Sequence, residues 1–158
     1  MRVLDIENIG RIGQMLIDGD LLKDVMADPF TCDEDDINYN IPAFNALKRA
    51  LSKTERLNPD IYLSGILWQW YPANKRMVAP AVVGRNLPGN YVTVPWMIND
   101  CPPLLAECMK KDKMTNLTME NGFSTFYFPI KTSAGDIIGA LELNEREMPL
   151  NWEENYAH

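Results

Sequence analysis

The sequence predicts an α+β domain, an antiparallel sheet flanked by helices, and three features carry that prediction. Helical spacing of apolar residues is confined to the chain before Asn58 and to one short later stretch. Runs rich in Ile, Leu, Trp, Tyr and Phe take over from Ile61. Short turns join those runs, which suits antiparallel neighbours, because parallel strands need helix-length crossovers. Length agrees: for 158 residues, area scaling leaves roughly 8,000 Å² exposed out of about 26,000 Å², enough burial for an independent core.

Taken in order, Ile6, Ile9, Ile12, Met15, Leu16 and Leu22 predict an amphipathic helix from Leu4 to Leu22. Gly10, Gly13 and Gly19 oppose it, each costing about 1 kcal/mol relative to alanine in a helix interior. Asp28-Pro29 breaks the pattern. The acidic run Asp33-Glu34-Asp35-Asp36 lacks the turn glycine of a calcium loop, so it reads as a solvated connection. A second helix follows the capping residue Asn40, with Pro42 in its first turn. Phe44, Leu47, Ala50, Leu51 and Thr54 form its stripe, and it stops near Asn58-Pro59. Ile61 to Tyr71 predicts a strand, Pro72-Ala73-Asn74-Lys75 a turn, and Arg76 to Val83 a second strand. Gly84 to Asn90 reads as a polar loop and Tyr91 to Val94 as a short extended piece. Asp100 before Pro102-Pro103 resembles a helix start. Leu104, Leu105, Cys108 and Met109 give that helix a buried face, and Lys110-Lys111 a basic end suited to its dipole. Ser124 to Lys131 and Ile137 to Asn144 are two strands joined by Thr132-Ser133-Ala134-Gly135-Asp136. Helices are expected on one side of the resulting sheet.

Composition removes whole classes of chemistry. A net charge of −7 makes nucleic acid and anionic lipid poor partners, since both need a positive surface. No run approaches the 18 apolar residues of a membrane span, and Asp5 and Glu7 interrupt anything resembling a signal peptide, so a cytoplasmic chain without membrane insertion is expected. Cys32, Cys101 and Cys108 form an odd set without a CxxC pair, which argues against a disulfide framework or structural zinc. His158, the last residue, is the one histidine, so Ser-His-Asp, Cys-His, HExxH and His-ligated haem chemistry have no imidazole in the body of the chain.

The segment Ser124 to Asn144, STFYFPIKTSAGDIIGALELN, resembles the closing hairpin of GAF sensor domains. Phe128-Pro129-Ile130 stands at the family's Val-Pro-Leu-like triplet and Ile138-Gly139-Ala140-Leu141 at its Ile-Gly-Val-Leu-like strand. Element order over Ile41 to Asn144 is similar too, so the resemblance implies residues 1–40 as an N-terminal helical segment, 41–144 as a GAF-like sensor and 145–158 as a tail. Independently of the family, Pro129 suits a sheet edge or bulge, and Gly139 suits the close approach of a backbone or a ligand.

GAF domains are small-molecule sensors, and the resemblance implies an unidentified ligand, a homodimer and a C-terminal output domain, first a GGDEF diguanylate cyclase and second a histidine kinase. The loop Gly84 to Asn90 lacks the cysteines of the family's sulfoxide reductases, and Cys101 lacks the histidine that accompanies a bilin thioether. The candidate ligand-binding residues are Trp68, Trp70, Arg85, Tyr91, Trp96, Cys101 and Tyr127. On one strand Trp68 and Trp70 point to the same face as Ser64 and Ile66, and indoles suit flat or apolar ligands. Arg85 would meet an anionic group. Each also has a plain reading: rings as core filler, Arg85 as a solvated side chain, Cys101 as a small buried residue. Ile6, Ile9, Ile12 and Leu16 form either a dimer seam or a cover for the back of the sheet. Two rivals to the sensor are a ligand-free dimerisation module and a small enzyme using Cys101 or Cys108.

Overall fold

A computed structural model describes residues 2–26, 40–72, 75–79, 96–98, 100–120 and 122–146. The elements run α1 (Arg2–Leu16), α2 (Gly19–Lys23), α3 (Ile41–Glu55), β1 (Tyr62–Tyr71), β2 (Arg76–Ala79), β3 (Trp96–Ile98), α4 (Pro103–Lys111), β4 (Thr115–Thr118), β5 (Ser124–Lys131) and β6 (Ile137–Arg146). Among the described residues, six strands form one antiparallel sheet in the order β3-β2-β1-β6-β5-β4. The α+β class is therefore as expected. The arrangement of helices is not: α1, α2 and α3 cover one face, while α4 packs on the other. Alternation along the strands builds both faces, sending Leu63 and Leu67 of β1 to the three helices and Ile66 and Trp68 to α4.

The three-helix face is closed by glycines that opposed the helix on sequence grounds. A Cβ on Gly10 would stand 2.0 Å from Cζ of Phe128, and one on Gly13 2.8 Å from Leu141 Cδ2. Ile6, Ile9, Gly10 and Gly13 are the buried positions over residues 5–16 of α1, and the helix comes closest to Phe128 and Leu141 of the sheet at the two glycines. Helix propensity is given up there for close approach. Of the set read as either a dimer seam or a cover for the sheet, Ile6 and Ile9 are buried against it, while Ile12 and Leu16 are exposed together with Met15. The single helix expected from Leu4 to Leu22 is two, because the Asp18 side chain accepts from the Asp20 and Leu21 amides and starts α2.

Asn40 caps α3 through its side chain, which accepts from the Ala43 amide at 3.3 Å. At the far end of α3, buried Glu55 accepts from the Gly65 amide of β1 at 2.8 Å through Oε1, and Gly65 has no side chain to hold Leu51 away. Pro129 lies beyond the last β4 partner of β5, where a missing N–H costs no ladder bond, and its carbonyl accepts from Gln14 Nε2 at 2.8 Å. A register shift between Ile130 and Lys131 follows it. A Cβ on Gly139 would lie 1.8 Å from the Trp68 carbonyl oxygen, so the close approach is by a neighbouring backbone.

Two strands were not expected. β3 lies in a stretch to which the sequence assigns no element, and β4 shows one buried residue followed by three exposed ones, which removes the alternation that marks a strand. β2 pairs with β1 as a hairpin, Trp70 opposite Met77. α4 begins at Pro103 with Pro102 rather than Asp100 at the cap position and no side-chain cap bond. β6 continues past Asn144 to Arg146. The acidic run 33–36, Cys32, the loop 84–90, the extended piece 91–94 and residues 147–158 lie outside the described residues.

Candidate functional site

The face under α4 is laid out by strand register. Trp68 of β1 stands opposite Ala140 of β6, which stands opposite Pro129 of β5. One step along, Ile66, Glu142, Tyr127 and Thr115 form the next row, and Ser64, Asn144, Thr125 and Leu117 the row after. Leu105 and Cys108 of α4 press on this face, packing with Ile66, Trp68, Met77, Tyr127 and Ala140. A 2.6 Å bond from Thr115 Oγ1 to the Leu104 carbonyl holds α4 against β4.

A polar network runs across the same face. Glu142 accepts from the Trp68 indole Nε1 at 3.1 Å and from Asn144 Nδ2 at 2.9 Å, and Tyr127 is also hydrogen-bonded to it. Thr125 Oγ1 donates to Asn144 Oδ1 at 2.8 Å. A carboxylate offers about four lone-pair sites, so three donors leave Glu142 nearly saturated. Its role is to fix two aromatic side chains from β1 and β5 on a third strand, β6. Burial, then the neighbouring Glu142 carboxylate, push the Tyr127 phenol well above its ordinary range.

At the other end of the face the surface opens into a groove of about 410 Å³. It is lined by Trp70 of β1, Ile137 of β6, Cys101 just before α4, and Ala106, Met109 and Lys110 of α4. The volume falls in the range of small-molecule sites, roughly 300–1,000 Å³. Burial raises the Cys101 thiol, and burial then Asp112 push Cys108 up to about 12, so both stay protonated near neutral pH. A thiol is the poor nucleophile of the pair thiol and thiolate, which disfavours either cysteine as a catalytic group.

Of the seven residues singled out in the sequence, Trp68, Trp70, Cys101 and Tyr127 come together on this face. Arg85 and Tyr91 lie outside the described residues, and Trp96 is placed by its backbone alone, in β3. Glu142 was missed, though alternation along Ile137 to Asn144 with Tyr127 opposite would have pointed to it. A second groove, of about 400 Å³, runs along α3 beside Lys48, Arg49, Lys53 and Arg56, a basic stripe on an acidic chain.

No family model matches the chain, and no curated protein matches it. Among solved structures it is similar to the extracellular domain of a proposed histidine kinase, soHK1S-Z6, at 15% identity over 92% of this chain, with a TM-score of 0.36. The chain spans 63% of the length of that structure's chain. Among the described residues, no helix is long and apolar enough to cross a membrane, and no cluster of His, Cys, Asp and Glu could hold a metal ion.

Proposed function

We propose that this chain is a small-molecule-sensing, GAF-like regulatory domain of a cytoplasmic signal-transduction protein, with its ligand site on the α4 face. One observation carries the reading: an open groove of about 410 Å³ adjoins a hydrogen-bonded aromatic network, while the opposite face of the same sheet is filled. Filled cores stabilise, and concave apolar sites with a few fixed polar groups bind. A ligand bridging β1 and α4 would bias how α4 sits on the sheet, and a dimer would pass that bias to an output domain, a diguanylate cyclase first and a histidine kinase second. Ile12, Met15 and Leu16, exposed on α1, are the natural seam for such a dimer; Ile6 and Ile9 are occupied inside the protomer. That same trio favours a second reading, a ligand-free dimerisation module.

A thermal-shift screen of nucleotides, amino acids and aromatic metabolites separates the two. A ligand at a hundredfold its Kd contributes about 2.7 kcal/mol, which raises Tm by roughly 5–10 °C for a chain of this size. The sensor reading expects at least one such compound, with the shift lost in Trp70→Ala. A flat response to every compound, with a mass by light scattering that halves in Met15→Glu, establishes the scaffold instead.

A further inference from the structure

We infer that the groove between α4 and the Trp70 end of β1 takes a small aromatic monocarboxylate, its ring against Trp70 and Met109 and its carboxylate paired with Lys110. The inference rests on the sensor reading and names the chemistry of its ligand. Among the described lining residues, Trp70, Cys101, Ala106, Met109 and Ile137 are uncharged, and Lys110 is the cation. The described lining thus carries one positive charge and no negative one, because burial keeps the Cys101 thiol protonated. A cationic ligand would meet repulsion from Lys110, and the carboxylate of the sheet face, Glu142, is already engaged by Trp68, Asn144 and Tyr127.

The neighbouring cations are differently placed. Lys111 and Lys113 pair with Glu107 at 2.8 and 3.9 Å, and Lys131 pairs with Asp112. Lys110 has no ion pair among the described residues and projects from α4 beside the groove. Its position also orients the ligand. The last turn of α4 presents carbonyl oxygens with partial negative charge, so a carboxylate is accepted at the tip of the Lys110 side chain and not against the helix end. The ring is then left for the apolar floor, where half-buried Trp70 offers a flat face and Met109 a polarizable thioether that adapts to aromatic edges.

Calorimetric titration of the full chain tests this with three acids, phenylacetate, 4-hydroxyphenylacetate and indole-3-acetate, each beside its amide and its amine. The expected result is that at least one acid binds, about fivefold or more tighter than its amide, with the amine weaker still, and that high salt narrows the difference. Lys110→Gln should erase the preference for acid over amide while leaving the affinity for the amide unchanged, and Lys110→Arg should keep it. Because Lys110 is exposed, both variants should melt at the wild-type temperature. Amide or amine binding as tightly as the acid, the same preference in Lys110→Gln, or no binding by any acid overturns the inference. The sensor reading stands or falls separately: it survives if another compound of the wider screen shifts the wild-type Tm and loses that shift in Trp70→Ala.

Discussion

The two faces of the sheet are built from the same strands and solve opposite problems. On the three-helix face, Ile6, Leu22, Leu51, Leu67 and Leu141 are 0% exposed, and glycines in α1 remove the last space between helix and sheet. On the α4 face, among the described residues, one short helix covers part of the surface, polar side chains are knitted to aromatic ones, and a groove remains. Close packing makes the first face intolerant of any change in volume. The second keeps space at modest cost in stability, which is where a site that must admit a ligand and respond to it belongs. The difference lies in alternate residues of β1, β5 and β6, a separation that period-2 alternation makes possible.

Substitutions can break or sharpen that contrast. The largest loss is expected for Phe128→Ala, about 3–5 kcal/mol by chemical denaturation, because the ring fills the space under α1 and the site cannot collapse around rigid neighbours. Gly10→Ala on the same face should cost about 1–3 kcal/mol although alanine favours helix, since its methyl would overlap the Phe128 ring. A gain in stability there would show that α1 can lift off the sheet. Across the sheet, Glu142→Gln retains shape but weakens its bonds to Trp68 and Tyr127, a loss of about 1 kcal/mol with a changed Trp fluorescence maximum.

Alkaline pH probes the α4 face, against an opposing contribution from Lys48 of α3, whose amine is held below its ordinary range by burial. Cys108 titrates at about 12 in the folded chain against 9.0 ordinarily, and Tyr127 is raised as well, so above pH 9 the unfolded state releases protons that the folded state keeps. Stability therefore falls as pH rises from 9 towards 12 and is full below 9. At about pH 9.5 the loss from Cys108 is under about 1 kcal/mol. Cys108→Ala should flatten this slope, and an unchanged slope would place the thiol in a wetter environment than its packing indicates.

Most elements were legible because local pattern and tertiary role agree. α3 carries its cap, its proline and its stripe in order, and the closing hairpin has alternation, a turn glycine and a proline at an open edge where each is needed. Where they disagree, the reading failed. Gly10 and Gly13 score as helix breakers locally but are selected by contact with Phe128 and Leu141, far away in the chain. β4 is a polar edge strand whose partner, β5, defines it better than its own residues do. Half of the candidate site was visible as Trp68, Trp70, Cys101 and Tyr127, since large aromatics announce themselves. Glu142 did not, because a glutamate in a strand looks solvated until the register places Trp68 and Tyr127 beside it.

The central claim, that the α4 face is the binding face, is tested most directly by filling its groove. Ala106 is exposed at the groove wall, so Ala106→Trp should fold normally and occupy the space beside Trp70 and Ile137. For a compound that raises the wild-type Tm by several degrees, the expected shift in Ala106→Trp is zero. An equal shift in both proteins would place the ligand elsewhere and contradict the division of labour between the two faces.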